Sequence, residues 1–250
     1  MSDLSVHNET LVVKSYEVDF RSRWKPHCLQ QALQEAASCH ATELGCGYPE
    51  MRERGLAWVL SRMRIDFHTM PLMRDLVTLR TWHKGIQQRL FFTRDFTLSA
   101  NGQPVAEASF AWLLVDWVKR RMLPPSALPG ELLQHSEDAI PDLLEKINVP
   151  DGLPVLGSFE AGYSAVDPIG HANSACYIAW LLDCFPFESY SQRRLSRLQI
   201  NFSTEIRPGE HVAISAGELE GRWLAQGNIA ESGKRAFEAE FNWQDADALA

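Results

Sequence analysis

Apolar and polar residues alternate with a period of two in two stretches that read almost alike. Leu60-Ser61-Arg62-Met63-Arg64-Ile65-Asp66-Phe67 is echoed by Leu195-Ser196-Arg197-Leu198-Gln199-Ile200-Asn201-Phe202, 135 residues later. Met63, Ile65 and Phe67 share one face, as do Leu198, Ile200 and Phe202, which predicts half-buried strands. The echo continues. Asp75–Leu79 meets Glu210–Ile214 at the same spacing, Asn101–Trp112 meets Ser232–Trp243 at 131, and Asp19 meets Asp167 at 148. Four blocks in one order make a tandem repeat whose loops differ in length.

Each copy predicts the same elements. A short strand, about 12–18 and about 158–166, leads into a helix. Leu29, Ala32, Leu33, Ala36, Ala37 and His40 follow helical spacing over Leu29–Leu44, and the second helix spans Asn173 to about Phe185. The run Ala36-Ala37-Ser38-Cys39 keeps one side of the first helix thin, which suits close approach of a curved sheet. Asn101-Gly102, Ser232-Gly233 and Pro208-Gly209 are predicted to close hairpins. Strand, helix, then several antiparallel strands give an α+β class with one long helix packed on a sheet in each copy. The expected division is 1–118, a proline-rich linker 119–157 with one short helix near Asp142–Ile147, and 158–250.

Composition narrows the classes. The chain has 250 residues, 45% of them hydrophobic and 22% charged, which suits a globular protein with a substantial core. No apolar run reaches the length of a membrane span. A net charge of −8 argues against a general nucleic-acid binder while leaving room for a local basic patch. Cys28, Cys39, Cys46, Cys176 and Cys184 lack metal-ligand spacing and read as free thiols in a reducing compartment. The polar, acidic N-terminus does not read as a secretory signal, so a cytoplasmic protein is expected, and the sequon at Asn201 carries little weight.

The candidate chemistry lies in Asp167-Pro168-Ile169-Gly170-His171-Ala172-Asn173, followed by Tyr177 and Trp180. An aspartate just before a helix, a glycine that lets a substrate approach the backbone, and amides of about Gly170 to Asn173 at the helix start suit stabilisation of a carbonyl oxygen. Ordinary structural readings stand beside these. Asp167 also suits a cap or turn, His171 a packed histidine, and Glu205 a solvated strand end.

The segment resembles the Asp-x-x-Gly-His-x-Asn motif of hotdog-fold thioesterases. With Leu33–Ala37, Gly55–Met63 and Ala111–Asp116, the chain is similar over roughly residues 12–243 to the acyl-acyl-carrier-protein thioesterase family, two fused hotdog repeats. The resemblance implies hydrolysis of a fatty acyl thioester on acyl carrier protein (ACP), without metal or organic cofactor. It also implies catalytic residues in the second repeat and pairing of subunits through sheet edges as a homodimer. Asp167 matches the family Asp, His171 the His and Glu205 the Glu. Ile169 stands where the family has Asn, an apolar side chain in place of one that donates and accepts hydrogen bonds, which leaves two readings open: Asn173 substitutes in part, or the protein is slow or takes another acyl substrate. Opposite Asp167, His171 and Glu205 the first copy has Asp19, Arg23 and Met70, so it cannot run the same chemistry. The first copy is therefore expected to bind the acyl chain, with Trp58 and Met63 as candidates, although plain core is the ordinary reading of such residues. Gly170, Ala172 and Asn173 are the expected substrate contacts of the second copy. Arg193, Arg194 and Arg197, or Lys119-Arg120-Arg121, are the basic clusters offered to an acidic carrier. Acyl-CoA hydrolysis and a non-catalytic acyl-binding module remain the alternatives, and a hotdog dehydratase fits the motif less well.

Overall fold

The computed structural model describes residues 4–245, which form two compact units divided between Leu144 and Glu145. The first holds β1 (Val6–Val12), α1 (Pro26–Glu43), α2 (Tyr48–Glu53), β2 (Leu56–Phe67), β3 (Leu76–Gln87), β4 (Phe91–Ala100), β5 (Gln103–Asp116) and β6 (Arg121–Leu123). The second holds β7 (Val155–Glu160), α3 (Ser174–Asp183), a short α4 (Ser189–Gln192), β8 (Arg193–Phe202), β9 (His211–Leu219), β10 (Arg222–Ile229) and β11 (Arg235–Asp245).

The repeat is a repeat of topology. Strand order is β1-β3-β4-β5-β2 in the first unit and β7-β9-β10-β11-β8 in the second, with every pairing antiparallel. Even the register repeats. Met63 faces Phe110 as Leu198 faces Phe241, and the pairing slips once in each copy, skipping Ser61 in one and Ser196 in the other. An extra residue at that point bends the strand and raises its twist.

Each helix buries one face on its sheet. α1 buries Leu29, Leu33, Ala36, Ala37 and His40, and α3 buries Ala175, Tyr177, Ile178, Trp180, Leu181 and Leu182. Tyr177 meets Phe202 and Phe237 edge-on, and Trp180 stacks with Phe159, so α3 lies over β7, β8 and β11. Met63 and Ile65, like Leu198 and Ile200, are fully buried, as the alternation requires.

Four local expectations need correction. The opening strands run earlier, at Val6–Val12 and Val155–Glu160, and Ser15–Glu17 and Tyr163–Ala165 form single 3-10 turns. Pro208-Gly209 closes no hairpin, because β8 and β9 are not neighbours and the turn carries the chain across to the far strands. The β9–β10 hairpin turns instead at Glu220-Gly221, both at positive φ. No helix forms over Asp142–Ile147. There the chain has no regular structure and its polar groups bond to side chains of the sheets. The Leu144 carbonyl accepts from Arg62, Asp142 meets Arg64 at 3.0 Å, and the Glu145 carbonyl accepts from Gln199 at 2.9 Å. Ile140, Leu144 and Ile147 are buried, so the segment is packed structure along most of this length.

Candidate active site

The loop that leads into α3 is a tight turn built from its own backbone. Asp167 N–H donates to the His171 carbonyl at 3.0 Å, and Gly170 N–H donates to the Asp167 carbonyl at 2.9 Å. Asp167 Oδ1 accepts the Ile169 amide at 2.9 Å. Gly170 sits at φ +90°, a left-handed conformation that glycine adopts at little cost. Asn173 then caps α3, its Oδ1 accepting the Ala175 amide at 2.9 Å.

The turn is pinned to the strand end that carries Glu205. Ala172 N–H donates to the Ile206 carbonyl at 2.9 Å. This brings His171 Nε2 to 3.1 Å from Glu205 Oε2, with the histidine side chain mostly buried and the carboxylate half exposed. With Nε2 turned to Glu205, Nδ1 is the ring nitrogen left for other work. Beneath the turn lies Tyr177, whose phenol is pushed upward by burial.

The same turn exists in the first unit without its chemistry. Asp19 N–H donates to the Arg23 carbonyl at 2.8 Å, and Asp19 Oδ1 accepts from Arg21 and Arg23 amides at 2.8 and 2.9 Å. Trp24 N–H donates to the Pro71 carbonyl, as Ala172 does to that of Ile206. Ser22 takes the place of Gly170 at φ +59°, and Lys25 stands where Asn173 caps, without a side-chain cap bond. A turn architecture kept in both copies shows what Asp19 and Asp167 share: an aspartate that accepts the amide two residues on.

The expected oxyanion amides are reduced in number. Gly170, Ala172 and Asn173 N–H groups donate to the carbonyls of Asp167, Ile206 and Ala165. Among the described residues, the His171 amide is the one of the four with no protein acceptor. The sequence could not show this, because the acceptors come from residues 165 and 206. Ile169 is partly exposed, and its amide, not its side chain, shapes the turn.

The remaining candidates are scattered. In the first unit Met63 is fully buried, while Trp58 is half-buried, donates from Nε1 to the Cys46 carbonyl at 3.0 Å, and meets Phe92 edge-on. Arg193 and Arg197 are exposed, whereas Arg194 is buried and donates toward the Leu195 carbonyl at 3.5 Å. Lys119, Arg120 and Arg121 are exposed at the β5–β6 turn. Among the described residues, no cluster of His, Cys, Asp and Glu is arranged to hold a metal, and no helix is long and apolar enough to cross a membrane.

The acyl-ACP thioesterase N-terminal domain model matches residues 5–133, and the C-terminal domain model matches 155–245. A chloroplastic acyl-[acyl-carrier-protein] hydrolase of Cuphea viscosissima is 25% identical over 213 residues, 80% of this chain and 52% of that protein. A chloroplastic palmitoyl-acyl carrier protein thioesterase of Arabidopsis thaliana is 26% identical over 222 residues, 82% of this chain and 53% of that protein. The chain thus spans about half the length of these relatives. The crystal structure of an acyl-ACP thioesterase from Bacteroides thetaiotaomicron superposes with a TM-score of 0.87 at 24% identity, covering 96% of this chain and 98% of the other. The 12:0-ACP thioesterase from Umbellularia californica gives 0.81 at 19%, covering 98% and 99%. At these identities the structures speak for the double hotdog fold. The two domain matches, one on each unit and together covering most of the sequence, place the chain in the acyl-ACP thioesterase family.

Proposed function

We propose that the chain hydrolyses fatty acyl thioesters of ACP, releasing free fatty acid and the carrier thiol, as a cytoplasmic enzyme of fatty acid synthesis. The observation that carries this reading is the His171–Glu205 pair, 3.1 Å apart on a loop whose turn is held by Asp167. Hydrolysis adds water to the thioester carbonyl and breaks the C–S bond, with the proton delivered to the leaving sulfur. Glu205 orients the imidazole through Nε2, and Nδ1 takes the proton of the attacking water and returns it to sulfur. Asp167 keeps Oδ1 on the Ile169 amide and offers Oδ2 to the reacting centre. The His171 amide, at the positive end of α3, serves the developing oxyanion. Gly170 leaves room for the carbonyl, since a Cβ there would meet nothing within 4 Å. Ala172 and Asn173 act by fixing the loop, and Trp58 and Met63 belong to the acyl-binding half. Exposed Arg193 and Arg197, or Lys119–Arg121, offer positive charge to the acidic carrier, and two copies pair as a homodimer.

The test is thiol release from carrier-bound and CoA-bound acyl chains. Asp167→Ala and Glu205→Gln are expected to lower kcat about 10²–10⁴-fold, the usual range for positioned acid–base groups. Ile169→Asn, which restores the family's residue, is expected to raise the rate. Full activity in Asp167→Ala, or no hydrolysis of any thioester by the wild type, overturns the reading. Faster turnover of CoA esters would move the substrate assignment to acyl-CoA.

A further inference from the structure

The first unit carries a buried cation that the proposed reaction does not use. Arg94, on β4, is only 7% exposed. Its Nη1 donates to Thr81 Oγ1 at 3.3 Å and lies 2.7 Å from His40 Nδ1 on α1. His40 Nε2 meets the Leu4 carbonyl at 3.0 Å, which assigns the ring proton to Nε2 and makes Nδ1 the acceptor for Arg94. A guanidinium has five N–H donors. Nη1 accounts for two, and among the described residues no protein acceptor or carboxylate meets the three on Nε and Nη2.

Among the described residues, the neighbours supply no counter-charge. His83 faces Arg94 in the β3–β4 register and is buried; burial and the Arg94 charge hold its imidazole down to about 4, so it is neutral. Burial also pushes the nearby Cys46 thiol up, away from the thiolate. Burial lowers Arg94 itself to about 10, which leaves it charged at neutral pH. Neither Nε nor Nη2 is among the polar atoms shut off from solvent without a partner, so both open onto space that a small solute can reach, and a charge so largely withdrawn from water is ordinarily paired.

We propose that Arg94 is an anion site: Nε and Nη2 take a small monovalent anion of the halide or carboxylate class, with His40 and Thr81 fixing the guanidinium. The planar fork matches a carboxylate edge. Two sources share this chemistry. One is a free small anion. The other is the carboxylate of a fatty acid, since the cross-strand row Met63–Phe110–Arg94–His83 places apolar Phe110 next to the cation and Met63 one strand further along. The inference does not rest on the catalytic reading, and its readouts are binding ones.

The full chain would be unfolded in urea at fixed ionic strength, with sodium formate replacing sodium gluconate. A saturable gain is expected, about tenfold in the folding constant at ten times Kd. Crystals soaked in bromide are expected to show an anomalous peak at hydrogen-bonding distance from Arg94 Nε and Nη2. Arg94→Met, which removes the charge and keeps apolar bulk, should lose both responses. If it fails to fold, the wild-type bromide map decides. Protection by dodecanoate without protection by formate, abolished in Arg94→Met, assigns the fatty acid as source. No response to formate or dodecanoate together with no bromide peak overturns the site, as does dodecanoate protection that survives in Arg94→Met.

Discussion

At the scale of single residues, protonation is decided by neighbours the sequence does not place together. His83 sits on an alternating strand and gives no sign in the sequence of an unusual environment. In the fold, burial and Arg94 hold its folded pKa near 4, against 6.5 for the free side chain. As pH falls from about 6.5 toward 4, the unfolded chain binds the proton and the folded chain does not. Stability is therefore lost across that window, by up to about 1.4 kcal/mol per pH unit from this group. Urea midpoints between pH 7 and pH 4.5 should fall less steeply in His83→Phe than in the wild type. Parallel curves would show that His83 is protonated in the folded state. The motif residues tell the opposite story. Asp167, Gly170 and His171 were legible as a group because the turn is local: Asp167 bonds to Ile169 and His171, two and four residues away. Glu205 became their partner only through the Ala172–Ile206 bond.

At the scale of elements, the two copies differ most at the start of their helices. α3 opens on Asn173, which caps the Ala175 amide, and α1 opens on Lys25, which caps nothing with its side chain. Asn173→Ala is expected to cost about 1 kcal/mol, and Lys25→Asp to add up to about 1 kcal/mol, since Pro26 already presets the first helical position. Both are read from denaturation midpoints, and equal stability of Lys25→Asp and wild type would count against a capping deficit in α1. Helix and strand identities were readable from periodicity, because the 3.6 and 2.0 repeats are local geometry. Their ends were less so. Residues 12–18 contain apolar positions that read as strand, yet Ser15–Glu17 close a 3-10 turn, because Glu17 and Asp19 take nearby amides into local bonds.

At the scale of the whole chain, the segment 119–144 behaves as part of the first unit. Lys84, almost fully buried, meets Asp95 and Asp138 at 3.0 Å each and the Ile140 carbonyl at 2.6 Å. Asp95 also accepts the Ala139 amide at 2.9 Å, and Trp82 Nε1 donates to the Glu137 carbonyl at 2.7 Å. Lys84→Met leaves Asp95 buried without its cation, and a loss of about 3–5 kcal/mol is expected, most of it recovered by adding Asp95→Asn. Hydrogen exchange should show the Ala139 and Ile140 amides losing protection first in the single variant. Unchanged protection there would mean that the segment is held by its apolar contacts.

The sequence by itself determined the repeat, the strand–helix–strand order of each copy and the local turn that presents Asp167 and His171. All of these are encoded by neighbours, by periodicity, or by comparing one half of the chain with the other. Tertiary structure decided the rest: which amides stay open, which carboxylate His171 meets, where Pro208-Gly209 sends the chain, and how the proline-rich segment folds onto the sheets. The physical reason is common to all four. Hydrogen bonds and close ion pairs form at about 3 Å in space, whatever the separation along the chain, and the partners here lie 34 residues apart for His171 and Glu205 and 54 for His40 and Arg94.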